Sequence, residues 1–189
     1  VDMGSATRVY WTFKVLGHDE VSILDGGWAA YLGDPKKPKN IVEKNDNSPQ
    51  PKIFKASVRQ EMIVSKAEVV SLMGKNVPLI DMRPSDQFVG VNRHPKAMRS
   101  GTIPGAVSLP ESWVTENNGG RFRSTQTLTA LYKTASVPAG GEQIYFCNSG
   151  HWGSLGWFAA SELLGNKSAK VYDGSMLEWS ADKSLPVAQ

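Results

Sequence analysis

Residues 143–154 read QIYFCNSGHWGS and form the most informative segment of the chain. The apolar, β-prone run before Cys147 predicts a buried strand whose carboxyl end carries the chain's only cysteine. A tight loop then leads into a helical pattern that runs from Leu155 to Leu164 and stops at Gly165. A strand followed at once by a loop and a helix is the unit from which parallel α/β sheets are built.

The position of Cys147 suggests a reactive thiol. A thiol between the tip of a strand and the start of a helix faces backbone N–H groups and the positive end of the helix dipole. This environment favours the nucleophilic thiolate and predicts a thiol pKa below the free value of about 8.5. The alternative is a buried, inert cysteine, since free cysteines are among the most buried residues. Position alone leaves both interpretations open.

Composition narrows the function classes. The 189 residues fit one to two domains, and 40% hydrophobic with 21% charged residues is typical of a globular protein. The net charge of +3 suits a small anionic substrate, but no dense basic stripe of the kind that binds nucleic acid is present. No apolar stretch is long enough to span a membrane. One cysteine cannot form an internal disulfide, so the sequence is compatible with a cytoplasmic and with a periplasmic location.

The remaining elements alternate between strands and helices. Residues 77–81 predict a buried strand ending in a carboxylate, and Ser65 with Glu68 three residues later predicts a helix N-terminus. The other predicted elements are short strands at 63–64, within 102–110 and at 169–172, and a helix from Thr125 to about Ala135. The order predicts a parallel α/β sheet flanked by helices, with the functional site at the carboxyl ends of the strands.

An internal repeat is visible at an offset of 148 residues. Residues 16–27, LGHDEVSILDGG, are similar to residues 164–175, LGNKSAKVYDGS. Both copies read as a helix end, a glycine C-cap, a strand and a turn. The counterpart of Cys147 would lie just before Val1. We therefore expect residues 1–33 to be the last helix, strand and turn of a first domain, most of which is absent through cleavage or truncation.

The composition changes between the two copies. Residues 34–60 contain four prolines mixed with Lys, Asn and Asp, which predicts an extended, solvated linker between domains. Residues 61–189 then form the one complete domain.

Four short motifs follow one another in this domain. They are Asp81-Met82-Arg83-Pro84, Gly101-Thr102-Ile103-Pro104-Gly105-Ala106, Cys147-Asn148-Ser149-Gly150, and Val171-Tyr172-Asp173-Gly174 followed by Glu178-Trp179. In this order and spacing they resemble the rhodanese family of sulfurtransferases in its tandem-domain form. Residues 6–28 are similar to the end of the non-catalytic domain in that form.

The resemblance implies a function for Cys147. It would be the catalytic nucleophile, taking a sulfane sulfur from an anionic donor such as thiosulfate or 3-mercaptopyruvate and passing it from a persulfide to a thiol or cyanide. No cofactor or metal is implied. The active-site loop would comprise Cys147 and the six residues after it: Asn148, Ser149, Gly150, His151, Trp152 and Gly153. The missing N-terminal piece of the same precursor is the expected protein partner.

The chain departs from the family pattern around this loop. His151 and Trp152 stand where family members carry small or aliphatic residues and then Thr or Ser. Asn148 stands where thiosulfate-selective members have a basic residue, whereas Ser149 matches mercaptopyruvate-type members. Gln87 stands where a donor-binding arginine is expected. The choice of donor is therefore left open.

Some residues admit more than one role. We expect Asp81 and Arg83 to form a structural ion pair beneath the loop rather than to bind substrate. His151 could bind the substrate anion, shift the thiol pKa or cap the helix.

Two other functions compete with sulfur transfer. The domain could be a non-enzymatic module that uses Cys147 as a sulfur carrier, redox sensor or docking site. A cysteine phosphatase is disfavoured, because that chemistry needs an arginine six residues after the cysteine, where Gly153 stands.

Overall fold

A parallel sheet forms the centre of the molecule. The structure is a computed structural model that describes residues 3–36, 48–116 and 120–189. Within these residues the sheet has four strands, β1 (Leu79–Asp81), β2 (Val107–Ser108), β3 (Gln143–Phe146) and β4 (Ala169–Val171). Their order is β2-β1-β3-β4 and all three pairings are parallel. The predicted α/β class is confirmed, and the carboxyl ends of the strands meet at one edge.

Helices flank the sheet. They are α1 (Met3–Val15), α2 (Gly27–Gly33), α3 (Lys66–Leu72), α4 (Ser85–Phe88), α5 (Glu111–Val114), α6 (Thr125–Thr134), α7 (His151–Phe158) and α8 (Ser175–Ala181). A 3-10 turn, Gln60–Met62, precedes α3, and a π-helical turn, Ala159–Leu163, extends α7. The Ser65 hydroxyl accepts from the Glu68 N–H, and the Glu68 carboxylate accepts from the Ser65 N–H at 2.8 Å. The predicted start of this helix is therefore confirmed.

Two predicted strands do not form as expected. Residues 63–64 contribute only a bridge beside β4, in which the Val64 N–H donates to the Val171 carbonyl oxygen at 2.9 Å. Residues 21–24, predicted as the strand of the first repeat copy, are not a strand. Extended backbone needs a neighbouring strand to accept and donate its ladder hydrogen bonds, and none lies beside this segment in the described part of the chain.

The two faces of β3 pack into separate apolar clusters. Ile144 and Phe146 lie with Met176 and Trp179, whereas Tyr145 faces the cluster that contains α7 and α1. This is the alternation expected of a strand covered on both faces. Helix α7 approaches β3 closely at Gly156, where an added Cβ would lie 2.5 Å from Tyr145 Cδ1.

Helix α1 is part of the same packed core. It buries Met3, Tyr10, Trp11 and Val15, and the ring of Tyr10 meets that of Phe158 edge to face at 5.0 Å. The segment before Gln60 is tied to the end of this helix, because the Arg59 N–H donates to the Val15 carbonyl oxygen at 2.8 Å.

Part of the predicted domain division lies outside the described residues. This holds for residues 1–2 and for residues 37–47, the middle of the predicted linker. The division into 1–33, 34–60 and 61–189 stays a prediction. No helix in the described part of the chain is long and apolar enough to cross a membrane.

Candidate active site

The loop that carries Cys147 is shorter than the sequence predicts. Strand β3 ends at Phe146 and α7 begins at His151 rather than at Leu155, so only residues 147–150 connect them. The N-cap residue, Gly150, has a left-handed φ of 78°. A Cβ at this position would overlap the Asp173 carboxylate, which is why the turn requires glycine here.

Backbone N–H groups converge on the sulfur of Cys147. The N–H groups of Ser149, Gly150, Trp152 and Gly153 all act to lower the pKa of its thiol. We call these four donors the N–H cradle. Converging main-chain donors at a helix start stabilise negative charge on the atom they face, so the cradle suits an anionic sulfur.

The burial of Cys147 opposes the effect of the N–H cradle on the thiol pKa. Cys147 is only 1% exposed, and this desolvation raises the pKa of its thiol above the usual value, while the four N–H groups act in the opposite direction. The prediction of a lowered pKa is therefore wrong in direction. Sequence reasoning recognised the donors but could not see how completely the surrounding core excludes water from the sulfur.

Ser175 holds both ends of the loop, a role the sequence analysis missed. Its Oγ accepts from the Cys147 N–H at 3.1 Å and from the Gly150 N–H at 3.2 Å, and its hydroxyl donates to the Tyr172 carbonyl oxygen at 2.9 Å. The Met176 N–H also donates to the Cys147 carbonyl oxygen at 3.0 Å. The start of α8 thereby fixes the backbone that forms the cradle. The available signal was the residue after Asp173-Gly174, a pair we interpreted only as a turn.

Asp81 and Arg83 form a buried ion pair at the end of β1. Arg83 Nη2 donates to Asp81 Oδ2 at 2.6 Å and to the Gly101 carbonyl oxygen at 2.8 Å. The Thr102 hydroxyl donates to the same carboxylate oxygen at 2.7 Å. The pair thus joins the first two rhodanese-like motifs to each other.

Gln87 lies next to the Cys147 loop. The Asn148 side chain donates through Nδ2 to Gln87 Oε1 at 2.9 Å, and Asn148 is itself buried. Two neutral amides therefore face each other at the positions where the family pattern suggests cations.

His151 and Trp152 begin α7 with different surroundings. The His151 side chain is exposed, whereas Trp152 is half-buried and packs against the core that contains α1 and α7. The structure thus brings all the predicted loop residues together at the carboxyl edge of the sheet. The alternative roles of His151 stay open.

A second missed residue comes from the N-terminal helix. Arg8 of α1 forms a two-pronged ion pair with Asp173, with Nη2 at 3.2 Å from Oδ2. Asp173 lies directly against Gly150. Sequence spacing gave no signal for this contact, since only the packing of α1 on α7 brings Arg8 to the loop.

The family is shown by comparison with known proteins. Residues 65–182 match the rhodanese-like domain, a range that contains the sheet and the Cys147 loop. The chain belongs to the rhodanese-like family.

Individual relatives agree with this assignment. The thiosulfate sulfurtransferase of Bos taurus is 33% identical over 184 residues, covering 94% of this chain and 60% of the relative. A protein of Mycolicibacterium smegmatis, whose name assigns it the same activity provisionally, is 35% identical over 190 residues, covering 96% of this chain and 66% of the relative. The crystal structure of Tum1 protein from Saccharomyces cerevisiae superimposes with a TM-score of 0.82 at 25% identity, covering 100% of this chain and 66% of that one. The chain spans about two thirds of the length of the curated relatives it matches.

The raised thiol pKa predicts how Cys147 alkylation depends on pH. Only the thiolate reacts, so the rate with iodoacetamide should keep rising into the alkaline range and reach half its maximum at a higher pH than the rate of a solvated thiol does. The matched control is the same chain in denaturant, where the thiol is solvated. A midpoint in the folded protein below that of the denatured chain would contradict this prediction.

Proposed function

We propose that the protein is a sulfurtransferase that carries sulfane sulfur on Cys147 as a persulfide. The observation that carries the proposal is the convergence of the N–H cradle on one sulfur at the carboxyl edge of a rhodanese-like sheet. The Cys147 thiolate attacks the outer sulfur of the donor. With thiosulfate, a new S–S bond forms, the donor's S–S bond breaks, and sulfite leaves with the electron pair. With 3-mercaptopyruvate, the attacked atom is the donor's thiol sulfur: a new S–S bond forms, the donor's C–S bond breaks, and pyruvate leaves as its enolate with the electron pair and then takes up a proton.

The second half of the cycle regenerates the thiolate. An acceptor thiolate or cyanide attacks the outer sulfur of the persulfide, and Cys147 leaves with the electron pair of the S–S bond. As Cys147 leaves, negative charge develops on its sulfur, and main-chain donors fixed by Ser175 stabilise this charge without having to reorganise.

Replacement of the nucleophile tests this proposal. Cys147→Ser should reduce sulfur transfer to background, because a serine hydroxyl stays protonated and forms no persulfide. Thiocyanate release from thiosulfate and cyanide is the direct assay, run beside an assay with 3-mercaptopyruvate, and circular dichroism shows whether the fold is kept. Wild-type rates in the folded variant would exclude Cys147 as the nucleophile.

We propose that thiosulfate is bound weakly and that 3-mercaptopyruvate is the better donor. Thiosulfate is a compact dianion, best held by fixed cationic groups. Asn148 and Gln87 instead face each other as neutral amides, with Nδ2 2.9 Å from Oε1. Ser149 follows the mercaptopyruvate-type pattern and is exposed on the loop.

Adding a cation at residue 87 tests donor selection. Gln87→Arg should lower the KM for thiosulfate severalfold and change kcat less, because it adds attraction to the ground state. It also removes the acceptor for Asn148, so Gln87→Met is the matched control that loses the amide without gaining charge. Equal thiosulfate kinetics in the two variants would refute the argument.

The burial of Cys147 favours one alternative. A sulfur that is 1% exposed with a raised thiol pKa also suits a sulfur carrier or redox-sensing module without turnover. Such a module would accept one sulfur atom on Cys147 without releasing product repeatedly, and a multiple-turnover assay separates it from an enzyme.

We further propose that residues 3–33 are the closing part of a second rhodanese-like unit. Shifted by the repeat offset of 148, α1 and α2 fall on 151–163 and 175–181, which are the extents of α7 with its π-helical extension and of α8. Gly27 and its counterpart Ser175 both have positive φ, 60° and 51°. These correspondences support a duplicated unit.

The proposed unit has an apolar face without a cover in the described part of the chain. Val9 and Trp28 are 56% and 54% exposed, whereas their counterparts Trp157 and Met176 are 2% and 0% exposed, packed in the clusters on the two faces of the sheet. We propose that another polypeptide, the N-terminal piece of the same precursor, covers this face with the strands of a rhodanese-like sheet.

Disruption of this face tests the partner. Mass spectrometry of the protein purified from its native source should show a second polypeptide whose sequence contains rhodanese-like strands. Trp28→Asp should release it, because a carboxylate cannot be buried there at low cost. Val91→Asp, at an exposed valine of the complete domain, is the control. A second copy of this chain as the sole partner, or retention of the polypeptide by Trp28→Asp, would contradict the proposal.

A further inference from the structure

Arg8 reaches the catalytic loop from outside the matched domain. It lies on α1, whereas the family match begins at residue 65. A Cβ on Gly150 would lie 2.6 Å from Arg8 Nη1 and would overlap Asp173 Oδ1. The ion pair of Arg8 and Asp173 therefore occupies the space directly over the loop, three residues after Cys147.

Asp173 connects this ion pair to the N–H cradle. It opens the short turn that leads to Ser175, whose Oγ accepts from the Cys147 and Gly150 N–H groups. A continuous series of contacts thus runs from α1 through the turn to the backbone that holds the sulfur.

The geometry of Arg8 is fixed despite partial exposure. The side chains of Arg8 and Asp173 are 26% and 42% exposed, and exposed ion pairs add little to stability. Here, however, both guanidinium Nη atoms contact the carboxylate, and the Trp11 ring lies 4.9 Å from the guanidinium carbon. The two-pronged ion pair and the contact with the Trp11 ring orient the Arg8 guanidinium. A fixed orientation suits a role in positioning neighbouring residues rather than in stabilising the fold.

We propose that Arg8 is a positioning residue for the active site. By holding Asp173 against Gly150 it keeps residues 173–175 in place, so that Ser175 fixes the loop and the N–H cradle stays aimed at Cys147. This inference shares one assumption with the proposed function, namely that Cys147 is the reacting group. It makes α1 part of the active-site architecture.

A positioning role and a direct effect of charge predict different directions of change for the Cys147 thiol pKa. A direct field would raise the thiol pKa in Arg8→Ala and lower it in Asp173→Asn, because these variants remove opposite charges. Loss of positioning weakens the cradle in either variant and raises the thiol pKa in both. The charged or titratable side chains on the elements that carry or adjoin the loop include Tyr145 of β3, His151 of α7, Tyr10 and Lys14 of α1, Lys170 of β4, Tyr172, Glu178 of α8 and the Asp81–Arg83 pair. Each variant changes only Arg8 or Asp173 and leaves all of these side chains in place.

The experiment follows the alkylation of Cys147 across pH in these variants. Arg8→Ala and Asp173→Asn should both move the midpoint upward, slowing alkylation at neutral pH by roughly threefold to tenfold, the equivalent of about one ordinary hydrogen bond to the sulfur. Arg8→Lys keeps one ion contact and should give an intermediate profile. Tyr10→Phe is the matched control, because it removes another contact of α1, the 2.9 Å hydrogen bond from Tyr10 to Glu162.

Each outcome decides the inference. Upward movement in both Arg8→Ala and Asp173→Asn, with Tyr10→Phe unchanged, supports it. Opposite movements, no movement, or a movement equal to that of Tyr10→Phe overturn it. If Arg8→Ala does not fold, Arg8→Lys and Asp173→Asn decide by the same criteria. Alkylation measures the reactivity of the thiol and does not depend on turnover. An absence of sulfur transfer in the wild type would therefore refute the proposed function, whereas the alkylation result would still test the role of Arg8.

Discussion

The attraction between the sulfur of Cys147 and the four backbone N–H groups of the cradle is the interaction on which the rest of the site depends. Four main-chain N–H groups can meet one atom only if the loop from β3 to α7 is very short and turns through a left-handed residue. Gly150 supplies that turn, and Ser175 Oγ accepts from the Cys147 and Gly150 N–H groups at the two ends of the loop. The close approach of α7 to β3 at Gly156 completes the arrangement.

The same packing that builds the loop also excludes water from it. Desolvation disfavours the thiolate, and the converging donors favour it, so the two effects are set against each other at one atom. Low polarity strengthens each hydrogen bond to a charged sulfur once it forms. The site is therefore better suited to stabilise charge that develops during a reaction than to keep a resting thiolate.

Local patterns in the sequence predict several elements of this fold. The strand before Cys147, the helix start at Ser65 and the helix from Thr125 all follow from apolar periodicity and capping residues, and the structure confirms them. The order of four motifs was enough to indicate the family, which the match over residues 65–182 shows.

Long-range contacts were beyond the reach of these patterns. Ser175 hydrogen-bonds to the Cys147 loop, and Arg8 pairs with Asp173 beside that loop, and both contacts join segments far apart in the chain. The residue after Asp173-Gly174 was the available signal for Ser175, and no spacing rule points to Arg8. The prediction of a lowered pKa for the Cys147 thiol was wrong in direction, because the burial of a side chain is a property of the assembled core. Residues 21–24 have the composition of a strand, yet strand formation needs a partner that the described part of the chain does not place beside them.

The proposed function requires that Cys147 receives and releases one sulfur atom within the N–H cradle. The most direct measurement is intact-protein mass spectrometry after incubation with thiosulfate or 3-mercaptopyruvate, with peptide mapping to locate the change. We expect a gain of one sulfur atom on the peptide that contains Cys147, and the loss of that sulfur on addition of cyanide together with the appearance of thiocyanate. An unchanged mass with both donors, or an added sulfur that cyanide does not remove, would contradict it.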